Sequence, residues 1–154
     1  MNRIDIQFED IDSICYGKSE EKIKIVCCDI FDQISIKNWE LSLVLCSDSF
    51  IKNLNCDYRG KDEPTDVLSF PQIDTALPLC AGETVYAGDI VISMETLEKN
   101  SKKFDVDRNE EFTRLLIHGI LHLNGYKHSD NNPEQEMLVL QEDILKKFTG
   151  VEIF

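Results

Sequence analysis

The sequence predicts one α/β (α+β) domain over residues 1–154, with a mixed four-stranded sheet flanked by about five helices. Three observations carry this expectation. A chain of 154 residues suits one domain with a real core and is short for two. Short segments of strand character alternate along it with segments of helical periodicity, the pattern of layered sheet-and-helix folds. No internal repeat, low-complexity stretch or Pro/Gly/Ser-rich linker divides it.

Residues 2–8 alternate polar with apolar (Ile4, Ile6, Phe8), the pattern of a half-buried strand. Ser19 stands as N-cap of a helix carrying Ile23, Val26, Cys27 and Ile30 on one face. Leu41 to Cys46 reads as a buried strand, and Ser47 or Asp48 then caps a short helix toward Asn55. Val67 to Phe70 and Ala87 to Ile92 are two more short strands, bounded by Pro, Gly or Asp. Ser93 caps a helix through about Lys103. Asp107 with Glu110 three residues on makes a capping box for an apolar helix through Leu123, which Gly125 ends. Asn132 followed by Pro133 opens a last helix to about Lys147.

The charge balance narrows the function classes. Sixteen basic against 29 acidic residues leave a formal charge of -13, which argues against a general nucleic-acid binder working by counterion release. A nuclease on this chain needs local positive charge or a partner that holds the RNA. The amino terminus has no apolar signal-peptide stretch, and apolar runs such as Leu43 to Cys46 are too short to cross a bilayer. A cytoplasmic protein with no membrane partner is expected. The six cysteines have no Cys-x-x-Cys spacing and are expected to be buried free thiols, not metal ligands.

The chemistry concentrates at His118-Gly119-Ile120-Leu121-His122-Leu123-Asn124-Gly125-Tyr126-Lys127-His128, which holds every histidine of the chain. Histidines four apart on a helix project from the same face, and a glycine turn can return a third toward them. Three neutral imidazoles leave a tetrahedral ion one open position, the catalytic arrangement. His118, His122 and His128 are therefore the candidate metal ligands, on a zincin-like metal helix, for one Zn2+ ion. The spacing matches a large class of zinc proteases, but those enzymes need a glutamate directly after the first histidine as general base. Here Gly119 stands there, so that mechanism has no base.

The second dense region runs from Leu54 to Pro71. Its Asp, Gly and Pro content reads as a loop leading into a strand, within which Arg59 offers a guanidinium fork suited to phosphate oxygens. Together the two regions resemble the YbeY family of bacterial metal-dependent endoribonucleases, which act in ribosomal RNA maturation. The matching residues are Asn55 with Tyr58-Arg59, Pro64 through Pro71, Gly88-Asp89-Ile90 with Ser93, His118-Gly119, Leu121-His122-Leu123, Gly125-Tyr126 and His128.

The resemblance implies zinc ligation by the three histidines, catalytic roles for Arg59 and His118, and a mixed four-stranded sheet with the metal at the end of a cleft. It implies a single-strand-specific endoribonuclease acting on ribosomal RNA, at the 3′ end of the small-subunit RNA and in ribosome quality control. Ribosomal or ribosome-assembly proteins are the expected partners. Where the family usually has aspartate before the third histidine, this chain has Lys127. Three readings of Lys127 stay open: a loosened metal site, a phosphate contact, or a solvated lysine. Asp66 and Asp89 are conceivable proton carriers, although turn-forming roles suit them better. Lys99, Lys102, Lys103, Arg108 and Arg114 could form a basic patch, with Arg114 on the His118 and His122 face. The competing class is a ribosome-associated assembly factor whose zinc is mainly structural, and a metal-dependent hydrolase of another substrate is the outside reading.

Overall fold

The alternation in the first eight residues becomes β1 (Arg3–Glu9), which pairs in parallel with β2 (Trp39–Cys46). The computed structural model describes residues 1–73, 80–127 and 135–154. β2 pairs in parallel with β4 (Val85–Ser93), and β3 (Val67–Pro71) lies antiparallel to β4 at the outer edge, giving the order β1-β2-β4-β3. The sheet is therefore mixed and four-stranded, as expected. Gly88 sits at φ +134°, where a Cβ would overlap the Phe70 carbonyl oxygen of β3, so only glycine lets these two strands close.

Six α-helices lie among the described residues instead of about five. The additional one, α1 (Ser13–Gly17), buries no residue and so leaves no apolar period to read; Asp12 caps it by accepting from the Ile14 and Cys15 amides. α2 (Glu20–Gln33) follows Ser19, whose side chain makes no capping bond. α3 (Asp48–Arg59) starts at Ser47, whose hydroxyl accepts from the Phe50 amide, and runs past Asn55 to Arg59. Residues read as loop there are thus helix. α4 (Met94–Lys103) is capped by Ser93, and α5 (Arg108–Leu123) by Asp107, which accepts from the Asn109 and Glu110 amides. α6 (Glu136–Leu145) ends in a 3-10 turn at Lys146–Phe148, and the expected Asn132-Pro133 start lies outside the described residues.

The two faces of the sheet are covered unequally. On one, α2, α4, α5 and α6 bury the large core, including Phe31, Leu43, Ile90, Phe112 and Ile120. On the other, α3 alone builds a small cluster around Cys46, Ile51, Leu68 and Val91. Gly119 of α5 lies directly over β4, where an added Cβ would meet Ile90 Cδ1 at 2.9 Å. All six cysteines are free, but Cys15, Cys56 and Cys80 are exposed, which corrects the expectation of uniform burial. They occupy surface positions that pack into neither core, whereas burial pushes the Cys46 thiol up to about 12 and keeps it inert. No described helix is long and apolar enough to cross a membrane.

Candidate metal centre

The register of α5 brings His118 and His122 together, ring to ring, with their Nε2 atoms 3.1 Å apart. Both rings are half-buried and meet edge to face at 4.7 Å between centroids. Each has its other nitrogen occupied. His118 Nδ1 lies 2.7 Å from Gln141 Oε1 of α6, and His122 Nδ1 lies 3.1 Å from the Tyr126 carbonyl oxygen. The Gln141 amide is oriented by its own NH2, which donates to Glu142 Oε2 at 3.2 Å. Both partners of the histidines are therefore acceptors, so each Nδ1 carries the proton and each Nε2 presents a lone pair. Two ring nitrogens converging in this way make part of a nitrogen donor set. Neutral imidazoles with acceptors behind them are the donor set that suits zinc.

The end of α5 builds half of this arrangement locally. Gly125 takes φ +89°, its amide bonds to the His122 carbonyl at 3.1 Å, and the Tyr126 amide bonds to the Leu121 carbonyl at 3.0 Å. This Schellman closure swings the Tyr126 carbonyl back onto His122. The third predicted ligand, His128, lies outside the described residues, and among the described residues no group of three or more His, Cys, Asp or Glu side chains forms a metal cluster.

Arg59 occupies the last turn of α3, is exposed, and donates through an NH2 nitrogen to the Ser69 carbonyl of the β3 edge at 3.3 Å. It does not touch either histidine. α5 packs against β3 from the opposite face of the sheet, so Arg59 and the histidines approach the same edge strand from two sides. Buried Asn55 donates to the Glu63 carbonyl at 2.8 Å and ties the segment after α3 to the helix. Asp66 and Asp89 hold structural bonds: Asp66 accepts from the Val67 amide at 2.8 Å, and Asp89 from the Tyr86 hydroxyl at 2.8 Å.

Three of the five candidates for a basic patch are paired with carboxylates. Lys99 pairs with Asp48 at 2.6 Å and Arg108 with Glu98 at 2.9 Å. Arg114 pairs with Glu111 at 2.7 Å and Glu142 at 3.1 Å. Burial alone would lower the Arg114 pKa, but Glu142 and Glu111 outweigh it and raise it. Helical spacing identifies the face of Arg114 and its neighbour Glu111 but not Glu142, the carboxylate that α6 brings to it.

The family model for Endoribonuclease YbeY matches residues 5–149. The chain belongs to the YbeY family. An Endoribonuclease YbeY from Treponema denticola is 54% identical over 127 residues, covering 82% of this chain and 81% of that protein. One from Borreliella afzelii is 45% identical over 120 residues, covering 77% and 79%. The solution structure of a Thermotoga maritima protein superposes with a TM-score of 0.60 at 30% identity, covering 96% of this chain and 88% of that one.

Within this YbeY chain, Lys127 is exposed, directly before the undescribed segment. The residue that reading the sequence missed is Gln141, the acceptor on His118. Its signal was there: Gln141 is a polar residue in the otherwise apolar stripe Met137, Ile144 and Leu145 that α6 buries.

Proposed function

We propose that this chain is a zinc-dependent, single-strand-specific endoribonuclease of the cytoplasm, acting in ribosomal RNA maturation at the 3′ end of the small-subunit RNA and in ribosome quality control. The observation that supports the metal dependence is the convergence of His118 and His122, whose Nε2 atoms lie 3.1 Å apart while each Nδ1 lies against a carbonyl-type oxygen. The RNA substrate follows from family membership, since the relatives that match bear the name Endoribonuclease YbeY.

His118, His122 and His128 would hold the ion, and His118 is catalytic through that contact. When bound, zinc supplies Lewis acidity toward water and phosphoryl oxygen. Arg59 has five N–H donors and spends one on Ser69, leaving the fork at the β3 edge for non-bridging phosphate oxygens. It stabilises the negative charge that accumulates there during cleavage. Neither imidazole would be available for proton transfer, because one nitrogen of each would hold the ion and the other lies against an acceptor. A carboxylate is one group that can carry the proton. Asp66 and Asp89 are the candidates on the Arg59 side, each already holding a structural hydrogen bond.

The test is cleavage of purified single-stranded RNA by metal-replete protein, chelated protein and an Arg59→Ala variant, with metal content measured on each. Chelation should abolish cleavage, and Arg59→Ala should retain zinc while losing about 100-fold or more in turnover. Normal turnover in Arg59→Ala would overturn its role.

A second reading, a ribosome-associated assembly factor with structural zinc, is favoured by the pairing of Lys99, Arg108 and Arg114 with carboxylates. That pairing leaves the -13 charge to attract basic ribosomal proteins. Zinc-free protein that stays folded but inactive supports the enzyme. Protein that unfolds on chelation, or never cleaves RNA when metal-replete, supports the factor.

A further inference from the structure

The face of the sheet that α3 covers only in part carries an open groove of about 280 Å³. Phe50, Leu54 and Tyr58 of α3 and Phe70 of β3 line it, together with the polar side chains of Gln72 and Asp89. Its volume is at the small end for ligand sites, enough for one ring system and too little for an extended ligand. Tyr58 is 69% exposed, although its ring packs edge to face on Phe70 at 5.2 Å. An aromatic ring left this open contributes little to the core. Beside it, the Arg59 guanidinium rests on the carbonyl of Ser69, the residue preceding Phe70 in β3.

The charge of the whole chain says what such a groove is for. At -13, with several of its cations already paired to carboxylates, the protein repels a phosphate backbone and gains little from counterion release. Contacts to the bases are a source of affinity for single-stranded RNA that this charge does not oppose. Stacking on aromatic side chains supplies affinity that is indifferent to charge and tolerant of sequence. We infer that the groove lined by the packed Tyr58–Phe70 pair is a nucleobase subsite, which stacks one unpaired base of the RNA on the exposed Tyr58 ring while Arg59 holds a neighbouring phosphate.

This rests on the ribonuclease reading and deepens it. Asp89 and Gln72 can meet the hydrogen-bonding edge of the base, the Asp89 carboxylate accepting from a base N–H and the Gln72 amide either donating or accepting. A double-stranded RNA keeps its bases stacked and cannot offer one to the groove, which gives the single-strand preference a physical origin.

The experiment uses the full chain and a short unstructured oligoadenylate, with binding read by fluorescence anisotropy on chelated protein and cleavage read on metal-replete protein. Tyr58→Ala should weaken binding roughly 5- to 100-fold and raise KM with kcat unchanged, while Tyr58→Phe behaves as the parent. Because Tyr58 is exposed, neither change should disturb folding, and circular dichroism checks that. A 2-aminopurine placed in the oligonucleotide should be quenched on binding the parent and not on binding Tyr58→Ala. Parent-like affinity and quenching in Tyr58→Ala, with cleavage intact, overturns the subsite and leaves the ribonuclease reading standing. If the parent itself neither binds nor cleaves RNA, the ribonuclease reading falls and the subsite falls with it.

Discussion

With its amide oxygen 2.7 Å from His118 Nδ1, Gln141 is placed to accept a proton there and to turn Nε2 toward His122. The other side of Gln141 continues into Glu142 and, through it, Arg114, so the amide cannot rotate without breaking a second bond. Orienting acceptors of this kind typically change metal affinity by about 10- to 100-fold. Gln141→Leu keeps the volume and removes the acceptor, so zinc affinity should fall by about that factor in competition with a chromogenic chelator. Gln141→Glu restores an acceptor and should restore affinity. Unchanged zinc binding in the leucine variant would show that Gln141 only fills space. Gly119 illustrates the opposite constraint: with Ile90 side-chain atoms 2.9–3.1 Å from where its Cβ would be, any longer residue there must displace the Ile90 side chain.

Asp48 at the start of α3 is the joint between that helix and α4. It accepts from Ser93 Oγ at 2.6 Å, from Lys99 Nζ at 2.6 Å, and from the Thr96 hydroxyl. Burial alone would raise its pKa, but the bonds from Lys99, Ser93 and Thr96 outweigh it and hold the carboxyl below its ordinary 3.8. A carboxyl depressed in the folded state stabilises above its unfolded pKa and loses that contribution as the pH falls through the folded value. Asp48→Asn should therefore be about 1–2 kcal/mol less stable in urea at neutral pH, with the gap to the parent closing as the pH is taken below the carboxylate range. A gap that does not change with pH would mean that shape, not charge, holds the joint.

At the scale of the molecule the acidic surface and the family activity pull in opposite directions. Each phosphate neutralised on a single strand contributes a log–log salt slope of about -0.7. A protein that grips RNA by one arginine and a stacked base should show a slope no steeper than about -1.5, measured by oligoadenylate binding across a salt series. A steeper slope would mean that several lysines do reach the backbone and that the pairings at Lys99 and Arg108 give way when RNA arrives.

Elements with a local cause were legible in advance. Period-two alternation marks β1, capping residues mark the starts of α3, α4 and α5, and four-residue spacing on a helix puts His118 and His122 on one face. Gly125 announced the turn that carries the Tyr126 carbonyl to His122. Where no apolar pattern exists, as in α1, or where turn-forming residues sit within a helix end, as before Arg59, the periodicity failed. Reading the chain alone thus determined that two imidazoles share a face and that Gly119 denies them a neighbouring base. Tertiary structure decided which groups stand behind and around them: Gln141 from 23 residues away, the Glu142 carboxylate paired with Arg114, and an aromatic groove beside Arg59. The reason is physical. Spacing fixes geometry within one element, whereas the partner of a side chain depends on which other element packs against it.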